Sequence, residues 1–327
     1  MPLPTAVTSL LGVSHPILLA PMGGAAGGAL AAAVSAGGGF GLVGGGRESG
    51  EWAARELEIV RTSTQAPWGI GFLTFATDAS TVERALKFGP TAVMLSFGDP
   101  RPLAPVVRDS PAHLIVQVTD LDEARAALAV GADLIVAQGT ESGGHGGTRG
   151  TLPFVPAVID LVTPTPVLAA GGVGDGRGLA AALALGAAGV LIGTRFLACL
   201  ESLAQPAVVK AILEGGAEDT ERNRVLDIAR RAPWPSRYTA RTMRNAFTDH
   251  WRGREEELAQ SPAVLDGFAE AAERGDMDVV PVWAGESMDL FDQLESATDV
   301  VGAIARQAEE ALDCIDRRSP GPSGVKG

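Results

Sequence analysis

A histidine set among glycines is the feature of this sequence best suited to proton transfer. Residues Gln138–Gly147 read QGTESGGHGG, and His145 is the histidine of that segment. Because so many glycines surround it, the side chain is not expected to pack in a core. It is free to face a ligand, and its ordinary pKa suits acid–base chemistry near neutral pH. A mobile, solvent-exposed loop histidine is the competing interpretation, and a phosphate site on the same face would favour the functional one.

Two glycine-rich turns are candidates for that phosphate site. Residues 169–176 read AAGGVGDG and residues 193–196 read GTRF, and each turn follows a short apolar run. Glycine lets the backbone approach an anion, and the amides at a helix N-terminus can hold it. Tight turns that simply need glycine are the alternative. The stretch Gly172–Gly178 has glycines at alternate positions and does not satisfy GxGxxG, and no GxxxxGK[ST] pattern is present, which argues against dinucleotide and P-loop sites at these turns.

Two other strand ends are predicted to lie near these turns. The first apolar run ends in Pro21, Met22 and Gly23, and the third contains Gly71. Glycine inside a strand often marks the close approach of a ligand. A core methionine and a tightened barrel turn would explain the same residues. They indicate a ligand site only because their positions along the strands put them on the same face of the barrel.

The elements that would position these residues form a repeating strand–helix pattern. Each short apolar run is followed by a glycine-containing turn and an Ala/Leu-rich helical stretch such as Gly28–Ala36 or Leu121–Val130. Near-continuous apolar strands indicate a parallel sheet covered by helices, and eight such units can close into an α/β, (β/α)8 TIM barrel. In such barrels the loops after strands seven and eight often bind phosphate. The eight predicted strands are Ile17–Met22, Phe40–Val43, Trp68–Thr74, Ala92–Phe97, Leu114–Val118, Leu134–Gln138, Val167–Ala170 and Val190–Gly193.

The pattern changes after Phe196. From about Leu200 to Gly275 no strand-like run occurs, charged residues become dense, and Pro233 and Pro235 interrupt the stretch. We therefore expect a mainly helical inserted second domain that covers the catalytic face. The predicted division is a barrel over residues 1–199, a helical lid over 200–280, a return segment with the last barrel helix over 281–318, and a flexible tail over 319–327.

Composition excludes several classes of function. The net charge of −13 argues against nucleic acid as a partner. Only two cysteines occur, Cys199 and Cys314, with no zinc or disulfide spacing, so no metal is expected and a cytoplasmic location is favoured. No apolar run is long enough to span a bilayer, and no membrane partner is expected.

With these residues in view, the sequence resembles the nitronate monooxygenase family along nearly its whole length. The similarity includes Pro16–Gly24, Gly69–Phe75, Ala137–Gly147, Ala169–Gly178 and Gly189–Phe196. The resemblance implies an FMN-binding barrel in which His145 engages the substrate as a base or hydrogen-bond partner. The FMN-binding residues that it implies, together with the loop analysis, are Pro21, Met22, Gly23, Gly71, Gln138, Gly143, Gly144, Gly171, Gly172, Ile192, Gly193 and Thr194.

The resemblance also implies a reaction. An alkyl nitronate would be oxidised with O₂, through one-electron transfer to the flavin, to a carbonyl compound and nitrite. The partners would be a small nitronate or nitroalkane and O₂, and self-association into a homo-oligomer is left open. Two departures bear on the substrate: many family members carry Asn where Gly71 stands, and the fourth strand ends in the shortened segment Ser96–Pro100.

Two other functions fit the same scaffold. FMN-dependent reductases that use NAD(P)H, acting on enoyl-acyl-carrier protein or on quinones, share the Gly-Gly-His loop and the phosphate loops. A barrel that binds a phosphorylated metabolite without redox chemistry is the second alternative. The sequence offers few carboxylate or lysine candidates at strand ends for such chemistry, which ranks it lower.

Overall fold

A computed structural model describes residues 3–46 and 50–318 of this chain. All eight predicted barrel strands are present, with bounds that differ by no more than three residues from the predicted ones. Three further strands form a separate small sheet. In chain order the strands are β1 (Ile17–Leu19), β2 (Gly41–Gly44), β3 (Trp68–Leu73), β4 (Ala92–Ser96), β5 (His113–Val118), β6 (Leu134–Gln138), β7 (Gly144–Gly146), β8 (Val167–Ala170), β9 (Gly189–Ile192), β10 (Thr220–Asn223) and β11 (Thr239–Met243).

The eight-stranded sheet is parallel and closes into the predicted barrel. Its strand order is β1-β9-β8-β6-β5-β4-β3-β2. Leu18 forms a parallel bridge with Phe40, which joins the first strand of that order to the segment leading into the last. Alternate strand residues point into the barrel, where Leu18, Leu42 and Met94 belong to one buried apolar cluster. Their neighbours along the strands point outward and pack under the helices.

Helices surround the barrel and cover one end. They are α1 (Ala6–Leu11), α2 (Gly28–Ala36), α3 (Gly50–Ser63), α4 (Ala79–Leu86), α5 (Ala104–Arg108), α6 (Leu121–Ala129), α7 (Thr151–Val162), α8 (Gly176–Ala184), α9 (Thr194–Leu197), α10 (Pro206–Glu214), α11 (Val225–Ala229), α12 (Ala246–Trp251), α13 (Glu255–Ala259), α14 (Pro262–Glu273) and α15 (Ala297–Arg318). Short 3₁₀ turns occur at Thr74–Ala76, Ala217–Asp219 and Met288–Leu290.

The long C-terminal helix α15 packs between α8 and α2 and so occupies the place of a last barrel helix. Gly176 makes this contact close, because a Cβ there would lie 2.3 Å from the backbone nitrogen of Ala308. The sequence predicts the last barrel helix within residues 281–318, and the helix occupies Ala297–Arg318. Within residues 3–46 and 50–318, no helix combines the length and apolar character needed to span a membrane. The predicted tail, 319–327, lies outside the described residues.

The expectation of no strand between Leu200 and Gly275 is wrong. Strands β10 and β11 lie in this segment and pair antiparallel with each other, and β11 also pairs antiparallel with β7. Their sequences, TERN and TARTM, are mostly polar, and alternate residues of β11 are buried. A mostly polar two-strand ribbon gives no apolar run to detect, and its pairing partner, β7, is a distant loop of the barrel.

Candidate active site

One cavity at the carboxyl ends of the barrel strands brings the predicted site residues together. Its volume is about 570 Å³, and every predicted catalytic and cofactor residue lines it. These are Pro21, Met22, Gly23, Gly71, Gln138, Gly143, Gly144, His145, Gly171, Gly172, Ile192, Gly193 and Thr194. The roles assigned to them stay predictions, but the chain does place them around a single space.

The two glycine-rich turns present unpaired amides to this cavity. Gly171 and Gly172 have φ angles of 104° and 74°, a conformation that favours glycine. Among the described residues, the backbone N–H groups of Gly172, Val173 and Gly193 have no hydrogen-bond acceptor. Gly172 is exposed and Gly193 is half-buried, so a ligand in the cavity can reach these free donors, and the turns fit a bound phosphate group.

The flanking helix α8 does not supply those donors. Asp175 caps it and accepts hydrogen bonds from the backbone N–H groups of Arg177 and Gly178 at 2.9 and 3.3 Å. The other turn, at Gly193, is held by the next residue, Thr194, whose hydroxyl oxygen accepts a hydrogen bond from the Gly285 N–H at 3.0 Å. The donors left without a partner are therefore the turn amides themselves rather than the end of the longer helix.

Gly71 has a structural reason to be glycine in this chain. A Cβ at this position would lie 2.3 Å from Cγ and 2.5 Å from Cβ of Pro21. An asparagine, the residue that many family members carry here, would require Pro21 to move. The departure noted in the sequence is thus coupled to the proline at the end of β1.

His145 is held by residues far from it in sequence. Its Nε2 lies 2.9 Å from both carboxylate oxygens of Asp227, which is 82 residues further along the chain. The ring stacks on Trp234 with centroids 3.4 Å apart and an interplanar angle of 7°. Trp283 lies tilted at 5.4 Å. The expectation that His145 would not pack in a core is therefore wrong, as is the competing interpretation of a mobile, exposed loop histidine: His145 lies on β7 and is buried.

Burial controls the proton affinity of this imidazole. Desolvation lowers the pKa of His145 below its ordinary value of 6.5, and this effect outweighs the raising effect of Asp227. The nearby cations Arg230 and Arg222 lower the pKa further. The side chain is consequently neutral near pH 7 and able to accept a proton.

A pair of glutamines fixes the loop that carries the histidine. The Gln138 side-chain amide donates to the backbone oxygen of His145 at 3.0 Å. The side-chain amide of Gln117 in turn donates to the Gln138 side-chain oxygen at 3.1 Å. Gln138 was predicted to line the flavin, and Gln117 was missed. A lone glutamine in the apolar strand LIVQV was the available signal, because a buried polar side chain needs a partner.

Arg222 on β10 clamps the same loop from the inserted segment. Its guanidinium donates to the backbone oxygens of Ser142 at 2.8 Å, Thr140 at 3.1 Å and Gly144 at 3.3 Å. It also donates to the Thr239 oxygen on β11. Burial, together with the charge of the adjacent Arg241, lowers the pKa of Arg222 to about 10.

We expect Arg222→Met to lower the free energy of unfolding by about 2–4 kcal/mol, because several carbonyl oxygens lose their donor at once. Thermal unfolding would measure this as a lower Tm. Arg252→Met is the matched control, since Arg252 forms an exposed ion pair with Glu221. Its effect should stay within about 1 kcal/mol. Equal effects of the two changes would mean that Arg222 does not hold the loop.

The inserted segment lies on the catalytic face of the barrel. Leu203, Val208 and Trp234 from this segment line the cavity, as does Trp283 from the return segment. Phe97, at the end of β4, has a left-handed φ of 62° and packs edge-on against Trp234 with centroids 5.2 Å apart. The position matches the sequence prediction, and a lid function remains a prediction.

Known proteins resemble this chain both in sequence and in structure. A family model described as nitronate monooxygenase matches residues 4–87 and 72–307. A nitronate monooxygenase of Paraburkholderia phytofirmans is 31% identical over 94% of this chain and 96% of its own length. The solved nitroalkane oxidase of Streptomyces ansochromogenes has a TM-score of 0.79 at 26% identity, covering 95% of this chain and 100% of that chain.

A relative with a different name shows a partial similarity. An octahydroindene-carboxyl-CoA dehydrogenase of Mycobacterium tuberculosis is 36% identical over 67% of this chain. The match spans 63% of that protein's length.

Proposed function

This chain belongs to the nitronate monooxygenase family. We propose that it is an FMN-dependent oxidoreductase that converts alkyl nitronates, with O₂, to a carbonyl compound and nitrite. The observation that carries the proposal is the buried, carboxylate-paired imidazole of His145 in the same cavity as two amide-rich turns. That combination supports the proposal because it would put a proton acceptor beside a site for a phosphorylated cofactor.

The turns around Gly172 and Gly193 would hold the FMN phosphate through their backbone N–H groups. Pro21, Met22 and Gly71 would lie against the ring system. When bound, the flavin supplies the electron acceptor for oxidation of the substrate. FMN is favoured over a dinucleotide flavin because the phosphate-type turn at Gly172–Gly178 does not satisfy the GxGxxG fingerprint of dinucleotide sites.

The protein's own residues would bind and orient the substrate. Trp234 and Trp283 shield His145 from water, and the Nδ1 atom of His145 has no hydrogen-bond partner within the described part of the chain. That atom can accept a hydrogen bond or a proton from the substrate. Arg230 lines the cavity and carries a positive charge toward an anionic nitronate.

Two measurements test the function together. The purified protein should be yellow, and cofactor released by heat should run as FMN on chromatography. The holoenzyme should consume O₂ and release nitrite with propionate 3-nitronate. Recovery of FAD, or of no flavin after reconstitution, would overturn the cofactor assignment, and the absence of O₂ uptake with nitronates would overturn the reaction.

A pyridine-nucleotide-dependent reaction is the second candidate. The similarity to a carboxyl-CoA dehydrogenase favours it specifically, although the match spans 63% of that relative. Anaerobic stopped-flow mixing with NADH or NADPH discriminates between the two functions. Rapid bleaching of the flavin would favour the reductase, and an unchanged spectrum would favour the nitronate reaction.

The pH dependence follows from the lowered pKa of His145. The base is active when neutral, and it stays neutral until the pH falls through its lowered pKa. We therefore expect kcat/KM for a freshly dissolved neutral nitroalkane to fall as the pH is lowered, with a midpoint below pH 6.5. A pH–rate profile measures this midpoint. A midpoint at or above 6.5 would contradict the assignment of His145 as the neutral base.

A further inference from the structure

We propose that Asp227 is the positioning residue that fixes His145 as the Nε2–H tautomer, so that the inserted segment completes the proton acceptor of the barrel. The inference rests on the proposed function for its kinetic consequences. It assigns a role to a residue that lies in α11, outside the barrel and outside every motif recognised in the sequence.

The geometry leaves one arrangement of protons. Both Asp227 oxygens lie 2.9 Å from Nε2, and the two side chains are 4% and 8% exposed, for Asp227 and His145 respectively. An ionised carboxylate only accepts hydrogen bonds, so the proton must reside on Nε2. The lone pair of the neutral ring is then on Nδ1. Within the described residues, the Asp227 carboxylate makes no hydrogen bond other than to His145, which commits this buried charge to the imidazole.

Further contacts hold the imidazole ring of His145 in one orientation. Trp234 stacks flat on the imidazole, and Gln138 anchors the backbone oxygen of His145. The charged groups that face the ring are Asp227 from α11, Arg230 just after α11, and Arg222 from β10. Asp227 is the one acidic group of this set, and it alone favours the protonated ring that forms after proton transfer.

The chemical step that this arrangement serves is proton removal from a neutral nitroalkane. The C–H bond next to the nitro group breaks, an N–H bond forms at Nδ1, and the electron pair enters the C=N bond of the nitronate. The imidazolium is then paired with Asp227. A nitronate supplied in its preformed state has already lost this proton and does not need the step.

Asp227→Asn tests the role with little change in shape. An amide can present either its oxygen or its NH₂ group to Nε2, so the tautomer is no longer fixed. We expect kcat for a neutral nitroalkane to fall about 10-fold or more, since the base is held in the wrong tautomer for part of the time. Turnover of the preformed nitronate should change by less than about 3-fold, and the acid midpoint should move to lower pH.

A spectroscopic measurement on the flavin-loaded, full-length protein tests the tautomer directly. With ¹⁵N-labelled histidine, the His145 signals are identified by their loss in His145→Ala, since the chain has four histidines. We expect protonated Nε2 and unprotonated Nδ1 in the unmodified protein. Protonated Nδ1 would overturn the proposal, and this measurement decides the matter even where the variant does not fold.

Matched variants separate positioning from general damage. Asp266→Asn removes a carboxylate from the same inserted segment, where it pairs with Arg231 on the surface, and should leave all readouts unchanged. In a His145→Ala background, Asp227→Asn should cause no further loss. Equal losses with both substrate forms and an unshifted pH profile would reduce Asp227 to a structural role. If the unmodified protein turns over no nitronate but shows the expected tautomer, the proposed function fails and the positioning role stands.

Discussion

His145→Ala is expected to retain flavin and to lose turnover of neutral nitroalkanes by about 10²–10⁴-fold, the usual contribution of a general base. The loss should be large because His145 is the one histidine among the described residues that line the cavity. Flavin retention is expected because the phosphate-type turns at Gly172 and Gly193 are separate from β7. Flavin absorbance and steady-state kinetics with matched neutral and preformed substrates measure the two effects.

Preformed nitronates should be less affected, since their proton has already been removed. His250→Ala is the matched control, because His250 is exposed and contacts Arg254 in the inserted segment. That variant should behave like the unmodified enzyme. A His145→Ala protein that loses its flavin would reveal a structural role, and one that turns over both substrate forms at the original rates would make the residue a bystander.

Gly193→Val is expected to weaken FMN retention about 100-fold. A 100-fold loss is about 2.7 kcal/mol, and one hydrogen bond to a charged group contributes about 1.5–3 kcal/mol, so displacing a phosphate from one amide has an effect of this size. The fold itself has room for the change near the backbone, because a Cβ at Gly193 would lie 3.5 Å from the Met22 sulfur and 3.6 Å from the Ala20 Cβ. Those are ordinary contacts, so the added methyl groups should obstruct the ligand rather than the core.

Fluorescence titration of the stripped protein with FMN measures the change in affinity. Gly193→Ala should give a smaller loss than valine. Gly267→Val is the control, because Gly267 is an exposed residue of α14 with no atom within 4 Å of an added Cβ. Unchanged Tm with weakened FMN binding would support the assignment, and full flavin occupancy in the valine variant at dilute concentration would place the phosphate elsewhere.

The barrel and one half of the candidate site could be predicted from the sequence. Strands buried on both faces are continuous apolar runs, so their positions are a local property of the chain. Parallel closure then puts all their carboxyl ends on one face. For that reason the turns at Gly172 and Gly193, the glycine in β3 and the loop of His145 could be expected around one cavity, which the structure shows.

The environment of His145 was decided only by the tertiary structure. Asp227 sits in the short helical sequence VLDIA, where one acidic residue among apolar ones resembles any solvated helix position. Arg222 lies on the polar strand β10. Its neighbour β11 is also polar, and this strand pairs with β7 only when the inserted segment folds back onto the barrel. The sequence alone predicted which residues line the cavity, because strand ends and glycine-rich turns are local features of the chain. Which groups hold and protonate them depends on contacts across 80 residues or more, such as the one between His145 and Asp227, and no local pattern encodes these.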